Sequence, residues 1–298
     1  MSKNYLCFDI GGTHVKYAVL NDDVQFLYQD KYMTRRDSIA HFVGDFTHVV
    51  AELTKKYTIE KIGISFPGFI DPKTGFAQFA GAFDILHGRN IKQLLQKNID
   101  IPIVIENDAN CATLAEKLTG NARNCDSFIC ITIGTGIGGG VFVNGKLVHG
   151  TSFKAGEFGL MVVDGMVDGY RNLHALASTS ALIQQYKEVK NLPEEQQVQG
   201  EEVFAMAQEE ETVSRLVEQW FDYLSFGIFN LAATLNPEKI LIGGAISVRP
   251  DLYDSLQHSL KKIPSWQDIE VPIEPCSHLN DAGLLGALYQ CLEGERND

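Results

Sequence analysis

Short apolar runs separated by glycine turns mark the first half of the chain. Apolar residues on both sides of Gly11-Gly12-Thr13 (residues 5–10 and 15–20) predict a β-hairpin. The pattern returns about 120 residues later around Gly134-Thr135-Gly136. We therefore predict two strand–turn–strand units that repeat once along the chain, at the scale of a domain.

A second pattern, in which apolar residues recur every three or four positions, predicts helices. The clearest case runs from Ile39 to Leu53 and follows Asp37-Ser38, which can cap a helix. Similar spacing predicts helices at 109–118, 175–188, 201–209, 212–235 and 281–292. Short apolar runs predict further strands at 25–33, 62–66, 101–105, 146–148 and 240–242. Residues 68–90 lack a clear period and are predicted to form a long loop in an α/β protein.

Composition bounds the class of protein. The chain has 298 residues, enough for two domains of ordinary size, and 45% hydrophobic with 21% charged residues is typical of a folded globular protein. The formal net charge is −13, which disfavours binding to nucleic acid or to an anionic membrane because both need clustered Lys and Arg. Apolar runs are also too short to cross a bilayer.

Cysteine usage indicates the compartment. The six cysteines lack C-x-x-C spacing, and several lie inside apolar runs, which predicts buried free thiols rather than disulfides or a zinc site. The first residues do not resemble a signal peptide. We expect a cytoplasmic enzyme.

Glycine turns can bring backbone N–H groups close to an anion, so two such turns could hold a polyphosphate. Each turn alone could equally be a plain hairpin connection, but Gly243-Gly244 after a third apolar run adds to the pattern. Gly134, Gly136 and Gly139 also match the G-x-G-x-x-G fingerprint of dinucleotide-binding proteins. That fingerprint requires a helix after the glycines, whereas an apolar strand pattern and a hairpin turn follow here.

Five ordered motifs resemble those of the ROK family (repressor, open reading frame, kinase), within the superfamily of actin, Hsp70 and hexokinase. The motifs are Asp9-Ile-Gly-Gly-Thr-His-Val-Lys16, Glu106-Asn-Asp-Ala-Asn110, Ile133-Gly-Thr-Gly-Ile-Gly-Gly139, Ala155-Gly-Glu-Phe-Gly159 and Asp281-Ala-Gly-Leu-Leu-Gly286. The resemblance implies a two-domain, actin-like (ribonuclease H-like) α/β fold with the active site in an interdomain cleft. It places residues 1–118 and 281–298 in one domain and residues 119–280 in the other.

The resemblance also implies ATP with Mg²⁺ as cofactors, a homodimer, and a role for each motif residue. The first phosphate site would comprise Asp9, Gly11, Gly12, Thr13 and Lys16, with Asp9 orienting Mg²⁺. The second would comprise Gly134, Thr135, Gly136 and Gly138, with Gly243 and Gly244 beside the adenosine. Asn107 and Glu157 would bind sugar hydroxyls, the turn from Ser65 to Gly68 would form part of the sugar pocket, and Asp108 would be the general base for phosphorylation of a 6-hydroxyl.

Departures from the family pattern bear on the sugar. Leu160 replaces a histidine that binds structural zinc in family members, the segment 168–178 lacks the zinc cysteines, and His174 falls near the family's sugar-binding glutamate. The chain therefore resembles a zinc-free branch that includes β-glucoside kinases, and we expect no structural zinc. Glucose, N-acetylmannosamine and β-glucosides all stay open as substrates.

Each candidate has a structural alternative. Asp108 could only cap a helix, Asp9 could be a buried turn residue, and Lys16 could be an ordinary strand lysine. Glu157 could bond nearby loop amides, and His174 could simply pack against its apolar neighbours.

Two other function classes remain to be weighed. One is a sugar-responsive repressor of the same family, which carries a helix-turn-helix before the first phosphate loop. The position of Asp9 near residue 1 and the acidic charge argue against it. The other is a sugar-binding protein without significant kinase activity, against which Asp108 and both glycine turns argue.

Overall fold

The computed structural model describes residues 2–165 and 169–296, with side chains as far as residue 293. Asp168, at the start of the cysteine-free segment, lies outside the described residues. Unit 1 comprises Met1–Arg123, Leu147–Ala155 and Asn280–Asp298, and unit 2 comprises Asn124–Lys146 and Gly156–Leu279. Residues 147–155 thus group with unit 1, whereas the sequence analysis assigned them to the second domain.

Unit 1 is built on a five-stranded mixed sheet. Its strands are β1 (Asn4–Ile10), β2 (His14–Asn21), β3 (Phe26–Met33), β4 (Ile59–Phe66) and β8 (Ile103–Asn107), in the order β3-β2-β1-β4-β8. β1 pairs antiparallel with β2 but parallel with β4, and β4 pairs parallel with β8. The carboxyl ends of β1, β4 and β8 therefore meet at one edge of the sheet.

Both faces of this sheet are covered. The helices of unit 1 are α1 (Ile39–Thr54), α2 (Ile91–Gln96), α3 (Asp108–Leu118) and α10 (Ala282–Arg296). Leu6 and Phe8 belong to a core that includes buried residues of α1, whereas Tyr5 and Cys7 belong to a core with α10. This alternation is why β1 reads as a continuous apolar run, since side chains of a strand point to opposite faces in turn.

Residues 68–90 are not the long loop that the sequence analysis predicted. They form a small antiparallel sheet of β5 (Phe69–Ile70), β6 (Phe76–Phe79) and β7 (Arg89–Asn90), in that order. Two of its strands have only two residues, and β5 and β6 pair with a register shift. Such short strands cannot display the alternation on which sequence-based strand prediction depends.

Unit 2 repeats the central pairing of unit 1. The order of its main sheet is β11-β10-β9-β14-β15, in which β9 pairs antiparallel with β10 and parallel with β14. The strands are β9 (Phe128–Ile133), β10 (Ile137–Val143), β11 (Lys146–Leu147), β14 (Lys239–Gly243) and β15 (Ile273–Pro275), and a separate ribbon joins β12 (Val162–Asp164) and β13 (Arg171–Asn172). Both predicted glycine-turn hairpins, β1–β2 and β9–β10, are thereby confirmed.

Helices supply the rest of unit 2. They are α4 (Leu173–Ala177), α5 (Thr179–Lys190), α6 (Gly200–Met206), α7 (Glu211–Leu235), α8 (Leu252–Leu260) and α9 (Trp266–Ile269). The predicted helix at 175–188 is in fact two, because Ser178 is extended and caps α5 with its side chain. The long helix α7 contributes Trp220 and Leu224 to a core that also contains Ile129 and Ile131 of β9.

Two further findings bear on the sequence analysis. All six cysteines are buried thiols outside disulfides, as predicted. In the part of the chain that the structure describes, no helix has the length and apolar character that a membrane span requires.

Candidate functional site

In unit 1, a row of polar residues crosses the carboxyl ends of three neighbouring parallel strands. Asp9 of β1 pairs in register with Ser65 of β4, and Ser65 pairs with Glu106 of β8. Asn107 and Asp108 follow directly at the junction with α3. This edge of a parallel arrangement is where α/β proteins bind ligands, so the fold gathers the first set of predicted residues at one place.

Asp9 lies deep in this row. Its Oδ1 accepts a hydrogen bond of 2.9 Å from the Ser65 hydroxyl, and Lys16 Nζ lies 3.6 Å from its Oδ2. Burial raises the pKa of Asp9, and the nearby Lys16 opposes that rise. Lys16 also donates to the carbonyl oxygen of Asn280 at 2.8 Å, just before α10.

The side chain of Ser65 contacts Asp9. Ser65 is fully buried and its hydroxyl is donated to Asp9, so the side chain supports that carboxylate. A place for the turn from Ser65 to Gly68 in the sugar pocket stays a prediction. Gly68, at the other end of the predicted pocket turn, accepts a hydrogen bond of 2.9 Å on its carbonyl from Asn107 Nδ2.

The first glycine turn is a tight hairpin with an exposed tip. The amide of Gly11 donates to the carbonyl of His14 at 3.0 Å, and the Thr34 hydroxyl donates to the carbonyl of Gly11 at 2.7 Å. Gly12 and Thr13 at the tip are exposed. The hairpin alternative and the phosphate role are therefore compatible, because the fixed turn leaves its tip accessible.

Asn107 and Asp108 have different roles at the start of α3. Asn107 is the N-cap: its Oδ1 accepts from the amide of Asn110 at 3.0 Å, and its Nδ2 donates to Gly68 and to Asp108 Oδ1. Asp108 is the first helical residue, and its side chain is exposed. Because the cap is Asn107, capping does not account for Asp108. Both hydrogens of the Asn107 side-chain amide are donated within the protein, one to the Gly68 carbonyl and one to Asp108 Oδ1. The side chain therefore helps to position Asp108.

A buried acid and a histidine beneath this junction were missed by the sequence analysis. Glu106 is completely buried, and its Oε1 accepts from the amide of Asn107 and from Asn110 Nδ2, at 2.8 and 2.9 Å. Its Oε2 lies 2.7 Å from His149 Nε2. The hydrogen bond to Glu106 raises the pKa of His149 above its ordinary value despite partial burial. The two residues are 43 positions apart in sequence, so no local pattern joins them.

In unit 2, the second glycine turn lies beside the turn that follows β14. The amide of Gly134 donates to the carbonyl of Gly136 at 2.9 Å, which closes a compact loop after β9. Gly244 has φ +92°, and a Cβ there would lie 2.0 Å from the carbonyl oxygen of Ile133. Glycine is therefore required at this position, and it brings Gly243-Gly244 against the start of the Gly134 loop. Gly138 follows in β10 and is half-buried.

The segment that carries Glu157 packs on β10. Gly156 has φ +91°, and a Cβ there would lie 2.3 Å from the carbonyl oxygen of Gly139. This close approach holds Glu157, which is half-buried, beside the strand that follows the second glycine turn.

His174 joins the same neighbourhood. Its ring is adjacent to Gly136, where a Cβ would lie 2.9 Å from His174 Cε1, and its own Cβ approaches Gly159. His174 is exposed, so the packing alternative is not supported. Leu160, which occupies the family's zinc-ligand position, is also largely exposed.

A cavity of about 230 Å³ opens beside the second glycine turn within unit 2. Ile133, Ile183 and Ile246 give it apolar walls, and Gln199 and Glu201 add polar groups. Arg249 lies with its Cζ 3.9 Å above the ring centre of Phe204, and both line the cavity. Gly134 and Thr135 also line the cavity, so a ligand bound in it would lie next to the glycine loop.

No group of three or more His, Cys, Asp or Glu side chains suited to holding a metal occurs within residues 2–165 and 169–296. The absence of structural zinc stays a prediction. The structure thus brings the predicted residues together in two sets. Unit 1 holds Asp9, Gly11, Gly12, Thr13, Lys16, Ser65, Gly68, Asn107 and Asp108, and unit 2 holds Gly134, Thr135, Gly136, Gly138, Glu157, His174, Gly243 and Gly244.

Comparison with known proteins agrees with the motif order. The model of the ROK family matches residues 5–293. This chain belongs to the ROK family. Over 296 residues it is 38% identical to a β-glucoside kinase of Listeria monocytogenes, with 97% of each chain covered.

Solved structures of ROK proteins share the fold. A Listeria monocytogenes protein described as a candidate N-acetylmannosamine kinase has a TM-score of 0.89 at 35% identity, covering 98% of this chain and 99% of that one. A ROK glucokinase of Streptomyces griseus, solved with glucose and AMPPNP, has a TM-score of 0.76 at 25% identity, covering 95% and 97%.

Proposed function

We propose that this ROK protein is an ATP-dependent sugar kinase that transfers the γ-phosphate to the 6-hydroxyl of a β-glucoside, with Asp108 as the general base. The observation that carries the proposal is the position of Asp108. It is exposed at the end of a parallel strand, on the first residue of α3, and Asn107 takes the capping role. Similarity to a β-glucoside kinase across nearly the whole chain supports the substrate class.

Proton transfer is the part of the chemistry that this chain supplies most directly. A sugar hydroxyl is a weak nucleophile at neutral pH, and a carboxylate within hydrogen-bonding distance can accept its proton as the bond to phosphorus forms. The oxygen–phosphorus bond to the sugar forms, the bond between the γ-phosphorus and ADP breaks, and the proton passes to Asp108. Asn107 keeps the Asp108 carboxylate in place by donating to its Oδ1 at 3.0 Å.

Unit 2 would bind the purine and part of the phosphate chain of the nucleotide. In unit 2 the cavity beside Phe204 and Arg249 suits a purine ring, because apolar walls and a stacked guanidinium favour a flat aromatic ligand. The loop from Gly134 to Gly136 would then receive the phosphates on backbone amides. Phosphoryl transfer depends mainly on positioning and charge neutralisation, which these backbone amides would contribute to.

Asp9 is the residue that fits Mg²⁺. A single carboxylate suits Mg²⁺, which keeps several waters and binds proteins through one or two carboxylates together with substrate phosphates. Burial has raised the pKa of Asp9, so a bound cation would stabilise its charged form. Mg²⁺ would neutralise the ATP phosphates, and Lys16 beside Asp9 would contribute further positive charge.

Departures from the family's residues near C1 of the sugar favour a β-glucoside over free glucose. Leu160 stands where the family's zinc-binding histidine would be, His174 falls near the family's sugar-binding glutamate, and both are exposed. The C1–C2 side of the sugar is therefore held by fewer charged groups, which leaves room for a substituent at C1. N-acetylmannosamine and free glucose are the competing substrates.

The test is ADP release by the purified protein with ATP, Mg²⁺ and a panel of glucose, N-acetylmannosamine, cellobiose and gentiobiose. We expect kcat/KM to be highest for the β-linked disaccharides, with NMR of the product showing phosphate on the 6-carbon of the glucosyl unit. A large preference for free glucose would contradict the proposed C1 pocket. Sugar binding without ADP release for any sugar would instead favour a regulatory binding protein.

A further inference from the structure

An aromatic surface lies next to the Asn107–Asp108 junction in unit 1. We propose that this surface, formed by Phe69, Phe79 and His87 with Lys154 at its side, binds the aglycone of the β-glucoside, which in cellobiose is the second glucose ring. The inference rests on the proposed function, because it assigns the part of the substrate that does not react.

The rings form a continuous group. Phe69 and Phe79 are paired across β5 and β6 with ring centres 5.6 Å apart, and His87 stacks on Phe79 at 4.9 Å. Lys154 Nζ lies 4.9 Å from the ring centre of Phe69. Phe79 is nevertheless 44% exposed, while Phe69 and His87 are half-buried. An exposed aromatic group that the fold has ordered in this way indicates a binding surface.

The surface is connected to the candidate catalytic residue through the backbone. The carbonyl of Gly68 accepts from Asn107 Nδ2 at 2.9 Å, and the same Nδ2 lies 3.0 Å from Asp108 Oδ1. On its other side Gly68 touches the backbone of Phe79, because a Cβ on Gly68 would lie 2.2 Å from the Phe79 carbonyl oxygen. Phe69 is the next residue in the chain. Phe69, the first of the rings, is therefore one residue along the chain from Gly68, whose carbonyl bonds to the side chain that contacts Asp108.

The chemistry of the surface fits a sugar ring. In the second glucose ring of cellobiose the substituents on C2 to C5 are equatorial, so both faces of that ring present C–H bonds, which are attracted to the negative face of an aromatic ring. Lys154 and His87 add polar groups at the edge, where they can bond to hydroxyls. Free glucose would leave this surface unused, so the surface favours β-glucosides over glucose.

The test compares Phe79→Ala with Phe76→Ala. Phe76 is on the same strand, is 43% exposed, and lies outside the group of rings, so it controls for loss of an exposed phenyl group. For each protein the ratio of kcat/KM for cellobiose to kcat/KM for glucose is measured. We expect Phe79→Ala to lower this ratio about tenfold, mainly through KM for cellobiose, because burying the apolar face of a sugar on a phenyl ring is worth a factor of this order. Phe79→Trp keeps an aromatic face and should retain the ratio. The ratio for Phe76→Ala should equal that of the wild type.

Equal ratios in wild type, Phe79→Ala and Phe76→Ala would overturn the assignment while leaving the proposed kinase function intact. If the wild type phosphorylates no sugar, the proposed function fails, and calorimetric titration of cellobiose into wild type and Phe79→Ala still decides whether the rings bind it. Conversion of a dimer to a monomer by Phe79→Ala, seen by light scattering, would identify the surface as a contact between copies of the chain and would also overturn the assignment.

Discussion

The pair of His149 and Glu106 carries a quantitative prediction. Replacing His149 by alanine leaves the Glu106 carboxylate, which is fully buried, with three neutral donors: the Asn107 amide, Asn110 and, at 3.3 Å, Gln290. Removing one partner of a buried ion pair costs about 3–5 kcal/mol, and the 29% exposure of the His149 side chain places this pair below that range, at about 2–3 kcal/mol. Tm should fall by about 5–10 °C.

The effect depends on pH in a defined direction. The pKa of His149 is raised in the folded protein, so the folded state binds this proton more tightly than the unfolded chain. Stability from the pair is therefore fully present below the unfolded pKa of about 6.5 and is lost as pH rises through the folded pKa. The difference in Tm between wild type and His149→Ala should be largest near pH 6 and should shrink towards pH 9. Differential scanning fluorimetry across this range measures it.

Two further variants separate a buried charge from lost packing. His41→Ala removes an equally close pair with Asp37, at 2.6 Å, but on the surface, where ion pairs contribute little, so Tm should hardly change. Adding Glu106→Gln to His149→Ala removes the unpaired charge and should recover part of the lost stability. A Tm for His149→Ala as high as that of His41→Ala at pH 6 would refute the buried charge pair. So would a Tm for the double variant lower than that of His149→Ala alone.

Three substitutions test the nucleotide residues through KM for ATP. Gly244→Ala should raise it at least about tenfold, because the Cβ would lie 2.0 Å from the Ile133 carbonyl oxygen and would displace the turn. Lys16→Met should raise it about tenfold by removing the cation 3.6 Å from Asp9. Arg249→Leu should raise KM for ATP more than KM for the sugar, because the guanidinium stacked on Phe204 lines the cavity of unit 2.

Each of these three substitutions has a matched control variant. Gly44 is in α1 with open space where a Cβ would be, so Gly44→Ala should leave KM for ATP unchanged. Lys31 is the cross-strand partner of Lys16, and Arg215 forms an exposed pair within α7, so Lys31→Met and Arg215→Leu control for loss of positive charge. Equal KM values in a variant and its control would remove the role assigned to that residue.

Much of the fold follows from local patterns, and particular elements show why. The β1–β2 and β9–β10 hairpins were predictable because each has two apolar runs and a glycine turn, and α1 because Ser38 caps a clear helical period. By contrast, α8 (Leu252–Leu260) was missed, although Leu252, Leu256 and Leu260 are buried at a spacing of four residues. That short period was too weak to stand out from the neighbouring loops.

Some residues of the candidate site could likewise be predicted from local motifs, whereas others could not. Asp108, Asn107 and the glycine turns could be found because each lies in a compact motif at the end of a strand. The hydrogen bond from Ser65 to Asp9 could not be predicted from the sequence, since only the β1–β4 pairing brings the two side chains together. His149 could not be found at all, because its partner Glu106 is brought to it by the tertiary fold.

The most direct test of the account is the turnover of Asp108→Asn with ATP, Mg²⁺ and a saturating β-linked disaccharide. The substitution keeps the size and a hydrogen-bonding side chain at the first position of α3, and the cap is Asn107, so Tm should stay within a few degrees of the wild type. If Asp108 accepts the proton of the sugar hydroxyl, kcat should fall by about 100-fold or more while KM for ATP changes little. A folded Asp108→Asn protein that turns over at close to the wild-type rate would contradict the central claim.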